Sequence, residues 1–386
     1  MKQFVFLAAA GAMLVAGSCT TTTADTISPP NVKLGQAFSD AIIYRYPDPN
    51  SIMNKGWEYN TSIVLHGMEK IYRQTKNPAY LAYIKKWVDS FIMSDGRVNF
   101  SRSACNLDYL HPGVLLLLLW EETHDNKYRV AAQDIRTAFN SQPKNMEGGF
   151  WHKERYPNEM WADGIYMGEP FIMKYGVLFG ETDVSADMAA FQTLLIARHA
   201  QDPKTGLLFH GWDSDKNASW ADSATGVSGF IWSRGMGWYA MALVDILAWM
   251  PATHRDHKNL VSLLGQIAGG LKKTQDPATG LWFQVMDQGD KKDNWLELSG
   301  SAMFVYALKI AVDRGYISAD YLPVAQKGWE GVKSMVSFSG GRPSINGAVA
   351  GMGIKGSYNE YISQSRLSNS AHGYASVLFA SSVMEY

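Results

Sequence analysis

The sequence predicts an all-α fold, an (α/α)6 barrel of six helical hairpins spanning residues 35–386. Three observations predict it. A loose repeat recurs six times, each copy a polar or small cluster followed by an apolar run. Several of those runs are apolar on every side. Amphipathic segments lie between them.

The six runs begin near Trp57, Asp108, Trp161, Trp232, Glu297 and Ser368. Val114 to Trp120 in the second has no polar face, and a helix apolar all round is buried. These runs are too short, and too closely flanked by charge, to span a bilayer. Residues 78–93 and 259–271 carry apolar residues at three- and four-residue spacing, with polar residues opposite. They read as outer helices, wet on one face. Six buried and six half-buried helices in alternation close a barrel. An open helical solenoid is the competing arrangement, and the long, irregular spacing is poor support for it.

Gly-bearing turns precede several inner runs: Asp95-Gly96, Gly148-Gly149, Asp202-Pro203…Thr205-Gly206 and Asp276-Pro277…Thr279-Gly280. Asp-Pro and Thr-Gly are turn chemistry. The aromatic and β-favouring residues that follow predict small hairpins at one barrel end. The N-termini of the inner helices would lie at that same mouth, where loops on a rigid scaffold usually carry function.

Residues 1–18 read as a signal peptide of the lipoprotein type. Lys2 gives a basic start, and Phe4 to Val15 form an apolar stretch too short to cross a membrane. Ala16-Gly17-Ser18-Cys19 then resembles a lipidation signal, although Ala16 stands where Leu is expected. Simple cleavage and a soluble periplasmic enzyme is the alternative. Residues 19–34 read as a polar tether. The expected location is the periplasm or outer membrane of a Gram-negative bacterium, with membrane contact only through a lipid on Cys19. Cys105 is then alone and reads as a small buried hydrophobe. The formal net charge of −1 gives no basic field to hold nucleic acid. No metal-ligand or nucleotide motif appears, so neither metal nor cofactor is expected. Thirteen Trp, nineteen Tyr and sixteen Phe suit either a large helical core or a sugar-binding cleft.

Asp108 and Asp163 both sit at the starts of buried runs. Each alone can be read as a helix cap. Two carboxylates at one rim, with His152, Trp161, His210, Arg234 and Trp238 near equivalent ends, read better as a constellation that does chemistry.

Here the sequence resembles the unsaturated rhamnogalacturonyl hydrolases, glycoside hydrolase family 105. The residues that carry the resemblance are Trp161-Ala162-Asp163-Gly164-Ile165-Tyr166-Met167, Phe209-His210-Gly211-Trp212-Asp213 and Trp232-Ser233-Arg234-Gly235-Met236-Gly237-Trp238. Leu107-Asp108-Tyr109 and Trp57-Glu58-Tyr59 also fit. The likeness runs from about Trp57 to Leu308. The related family 88 unsaturated glucuronyl hydrolases share the barrel and the two Asp residues. The resemblance implies that Asp163 is catalytic acid and base, with Asp108 assisting. It implies that Tyr59, His152, Lys153, Trp161, His210, Trp232, Arg234 and Trp238 bind an oligosaccharide substrate.

The implied reaction removes a 4,5-unsaturated uronic acid from the non-reducing end of a polysaccharide-lyase product. The C4=C5 bond is a vinyl ether, hydrated by a proton at C4 and water at C5. The expected pKa of Asp163 is raised, by burial beside Trp161 and by the like charge of Asp108. Arg234 and Lys153 are expected to hold the substrate carboxylate, Arg234 as a bidentate fork. A helix-start salt bridge is the alternative for Arg234. Trp232 and Trp238 are expected to offer stacking faces. Other functions remain open: a glucuronyl hydrolase acting on other lyase products, an epimerase or inverting glycosidase on the same barrel, or a non-catalytic glycan-binding lipoprotein.

Overall fold

The structure, a computed structural model, describes Met1, residues 32–53 and residues 56–386. The signal segment, Cys19 and all but the end of the tether lie outside the described residues. Thirteen α-helices occur among the described residues. They are α1 (Leu34–Arg45), α2 (Tyr59–Thr75), α3 (Pro78–Asp89), α4 (Gly113–Thr123), α5 (Asn126–Ala138), α6 (Ala162–Phe179) and α7 (Thr182–Ala200). After these come α8 (Ser233–Leu247), α9 (His257–Thr274), α10 (Leu298–Asp313), α11 (Leu322–Ser334), α12 (Tyr358–Ile362) and α13 (Ala371–Met384).

Each of the six predicted inner runs becomes an inner helix. In turn α2, α4, α6, α8, α10 and α13 each touch the next, and α13 returns to α2 to close the ring. Burial follows the pattern that predicted it. In α4 every residue from Gly113 to Leu119 is buried. The outer α9 buries Leu260, Leu263, Leu264, Ile267, Ala268 and Leu271, one stripe at helical spacing. The sixth outer helix is α1, which packs on α13 and α2 and begins at Leu34, one residue inside the expected tether. The last pair therefore joins distant parts of the chain. Glu385 fastens it, accepting the Leu34 and Gly35 amides at 3.0 and 3.2 Å at the N-terminal end of α1.

The matched turns have matched structures. Asp202 accepts from Thr205 N–H, Asp276 from Thr279 N–H, and Gly206 and Gly280 take φ near +80° as the turn requires. Asp222 to Gly226 repeats the device at a place the sequence reading did not mark. The expected hairpins form only in part. β1 (Glu159–Trp161) pairs antiparallel with β2 (Gly211–Asp213), so strands of neighbouring repeats join. β3 (Trp282–Phe283) pairs with β4 (Leu296–Glu297). β1 runs directly into α6 and β4 into α10, which fixes the inner-helix N-termini at this mouth.

A three-stranded antiparallel sheet was not expected. It comprises β5 (Val336–Ser339), β6 (Arg342–Val349) and β7 (Arg366–Ser368), in that order. Between β6 and β7 the chain makes α12 and reaches over the barrel mouth. Glu297 ties this insertion to the barrel. Its fully buried carboxylate accepts from the Ser299 and Gly300 amides of α10, the Val349 amide of β6 and the Ser233 hydroxyl of α8. Removing it would leave those buried donors unpaired, at about 1–3 kcal/mol each. Cys105 is half-buried rather than buried: it ends a one-turn 3-10 helix in a left-handed conformation on the surface.

Candidate active site

An outer cleft of about 630 Å³ opens at the mouth, lined by Tyr59, Asp108, Lys153, Trp161, Met352 and His372 among others. A recess of about 50 Å³ shares five of those residues and adds Asp163, Trp232, Arg234 and Trp238. His152 also lines the recess, and His210 stands behind Asp163. All ten sequence-predicted site residues are thus gathered at one end of the barrel. A further cavity of about 470 Å³ lies at the opposite end, where Arg73 and Lys174 are taken up by Glu69 and Glu121.

Asp108 lies in a 3-10 turn (Leu107–Tyr109) ahead of α4, and it is not a cap. Lys153 Nζ donates to its Oδ2 at 2.5 Å, and His152 Nε2 stands 3.6 Å from its Oδ1. Lys153 is therefore not the free cation expected for a substrate carboxylate; its charge is matched by Asp108.

Asp163 is the second residue of α6. Its Oδ2 stands 3.2 Å from His210 Nε2, off the line of a good hydrogen bond, and has no other partner. Catalytic contacts are commonly loose before substrate arrives. Burial pushes the Asp163 carboxyl up, but His210 and then His152 outweigh it, and the carboxyl is held below its ordinary range. This corrects the expected rise. Two imidazoles face the carboxylate, and Lys153 absorbs the charge of Asp108. Gly235 makes room for the pair: a Cβ there would come within 3.2 Å of both Asp163 Oδ2 and His210 Cδ2. Gly237 instead faces Met303 and lets α8 approach α10, so it does not open the backbone to substrate.

The aromatic residues are walls, not open platforms. His152 and Tyr156 both stack on Trp161, with centroids at 4.3 and 4.9 Å. Trp232 is buried against His210 and carries the Arg234 guanidinium over its ring at 4.8 Å. Trp238 stacks on Tyr166 in the barrel core. Trp232 and Trp238 therefore close the inner end of the recess rather than offer the expected stacking faces.

Arg234 is fully buried. Its Nη1 donates to Val349 O and its Nη2 to Ala350 O, while its Nε has no partner. The expected bidentate fork is thus largely committed to the insertion's backbone, and Nε–H is left without a hydrogen-bond partner. The sequence reading missed Met352, Tyr361 and His372. His372 opens the last inner helix and could have been found by analogy with the other helix starts. Nothing local marks Met352 or Tyr361. Among the described residues, no group of three His, Cys, Asp or Glu is placed to hold a metal ion.

Burial pulls the His152 pKa from 6.5 to about 4. Below pH 6.5 the unfolded chain takes up a proton that folded His152 refuses. Its stabilising contribution is therefore complete above pH 6.5 and lost progressively down to pH 4, at roughly 1.4 kcal/mol per pH unit. His111 acts in the same direction. The urea midpoint is expected to fall steadily between pH 6.5 and 4.5; an unchanged midpoint contradicts the buried neutral imidazole.

The Glycosyl Hydrolase Family 88 model matches residues 36–386. The chain belongs to this family. As a family 88 glycosidase it is an enzyme, and the non-catalytic binding reading is set aside. It is 36% identical to a family 105 glycoside hydrolase of C. acetobutylicum, with a TM-score of 0.87 over 92% of this chain and 99% of that one. It is 27% identical over 266 residues to the unsaturated rhamnogalacturonyl hydrolase YesR of Bacillus subtilis, covering 66% of this chain and 71% of that one. The unsaturated glucuronyl hydrolase of Bacillus sp. GL1 is 12% identical, with a TM-score of 0.66 over 90% of this chain and 94% of that one, and shares the (α/α)6 fold.

Proposed function

We propose that this family 88 enzyme releases the 4,5-unsaturated uronic acid from the non-reducing end of lyase-generated oligosaccharides, with rhamnogalacturonan fragments as substrates. One observation carries the reading. The recess holds one carboxylate, Asp163, that faces imidazoles rather than a lysine or arginine partner, while the other, Asp108, is neutralised by Lys153. A conventional glycosidase divides acid and nucleophile or base between two carboxyl groups. Hydration of a vinyl ether needs only one.

Asp163 delivers a proton to C4, and its carboxylate then accepts a proton from the water that bonds to C5. The C5 hemiketal opens to a ketone. The hemiacetal left at C1 collapses to an aldehyde and frees the rest of the chain as an alcohol. A carboxylate-bearing sugar entering the recess excludes water and adds a like charge, and both raise the low pKa of Asp163. The acid is thereby armed by its own substrate. Loss of the ultraviolet absorbance of an unsaturated rhamnogalacturonan disaccharide tests the reading. If that substrate is inert while unsaturated glucuronyl disaccharides react, the glycan assignment fails; if none reacts, the hydration assignment fails.

We also infer a lipid anchor at Cys19, supported by the Ser18-Cys19 pair after the apolar segment. Cys19→Ala is expected to move the protein from the membrane to the soluble fraction. A parent enzyme that is already soluble, with an unmodified N-terminus, refutes the anchor.

A further inference from the structure

We propose that Tyr361, carried on α12 in the insertion between β6 and β7, is a positioning residue that fixes the tautomer of His210, so that Nε2–H faces Asp163. The inference rests on the reading of Asp163 as the proton donor.

The donor and acceptor inventory carries it. Tyr361 is fully buried in a small apolar cluster with Trp232, Val285 and Val349, apart from the barrel core. Its Oη accepts the Lys355 amide proton at 3.4 Å and lies 2.8 Å from His210 Nδ1. The phenol has one proton to give, and His210 Nδ1 is the acceptor in reach. Burial pushes the Tyr361 pKa up, so the phenol keeps that proton. With Nδ1 accepting, the ring proton belongs on Nε2, the atom 3.2 Å from Asp163 Oδ2.

Other contacts hold this geometry. Gln284 bridges the Trp232 indole N–H and the Tyr361 carbonyl, at 3.1 Å each. The His210 amide donates to Phe230 O, and its carbonyl accepts from the Ala162 amide beside Asp163. The charged and titratable groups around Asp163 and His210 include His152, Arg234, Tyr59 and Tyr361.

The tautomer decides where the acid proton sits. An Nε2–H facing Oδ2 excludes a proton from that oxygen, so a protonated Asp163 must carry it on Oδ1. The opposite tautomer would present a bare Nε2, which would draw the proton onto Oδ2 and hold it against the imidazole. Tyr361 thus keeps the acid proton off the histidine side through His210, with no requirement to touch substrate.

Nitrogen-15 NMR of the histidine rings tests this on the intact enzyme. His210, assigned by comparison with His210→Gln, is expected to show a protonated Nε2 and a bare Nδ1. In Tyr361→Phe the Nδ1–H form should appear, kcat should fall about ten- to hundredfold, less than the roughly 10²- to 10⁴-fold of losing the proton donor itself, and KM should hold. A bare Nε2 in the parent enzyme overturns the proposal even if the variant fails to fold. So does a folded Tyr361→Phe variant with an unchanged tautomer, whatever its rate. An active Asp163→Asn variant would instead defeat the acid–base reading while leaving the tautomer measurement to stand.

Discussion

Asp163→Asn is expected to fold like the parent and to lose about 10²- to 10⁴-fold in kcat, the usual worth of a positioned proton donor. The amide fills the same volume at the second position of α6, and no cap is lost, because the N-cap of α6 carries no side-chain hydrogen bond. Its effect therefore falls on the proton. Asp108 cannot substitute, because Lys153 holds its Oδ2 at 2.5 Å. His210 lies behind the carboxylate, with Nδ1 engaged by Tyr361. Circular dichroism and the melting temperature should match the parent. Near-parental turnover in a folded variant would remove Asp163 from the mechanism and with it the single-carboxylate hydration.

Arg234→Ala is expected to damage both binding and architecture. The guanidinium holds the Val349 and Ala350 carbonyls, and its loss leaves the buried Val349 acceptor unpaired, at about 1–3 kcal/mol, and the half-buried Ala350 acceptor without its donor. Those residues lead to Met352, which lines both the outer cleft and the inner recess. A lower melting temperature is therefore part of the expected result. The recognition role is read separately, by kcat/KM on an unsaturated disaccharide and on its carboxyl-reduced analogue. Nε–H is buried without a partner, so a substrate carboxylate that reached it would supply the acceptor it lacks. The loss should be larger for the carboxylate substrate, because a bound carboxylate stripped of its cation costs roughly 2–5 kcal/mol. Arg234→Lys should recover only part, since an ammonium cannot span two carbonyls and a ligand together. Equal losses on both substrates would make Arg234 purely structural.

The sequence by itself determined the barrel and that the ten residues singled out meet at one mouth. Periodicity is a local property. A run such as Val114 to Trp120 can only be buried, and six such runs with amphipathic partners leave few ways to pack. The polar residues at their starts, Asp108, Asp163, Arg234 and Glu297, then fall at one mouth because every inner helix points the same way. What each polar residue does there was not local. The pKa of Asp163 was expected to rise; it falls because His210 and His152 come from separate loops to face it and outweigh the burial. Arg234 was expected to fork onto substrate, but the structure spends most of its donors on Val349 and Ala350, 115 and 116 residues away. The sheet and insertion that supply those carbonyls, Met352 and Tyr361 left no periodic signal in the sequence. Their strands are short and their contacts long-range. Secondary structure follows from spacing along the chain, whereas charge state, tautomer and the choice of hydrogen-bond partner follow from which distant groups the closed ring brings within 3 or 4 Å.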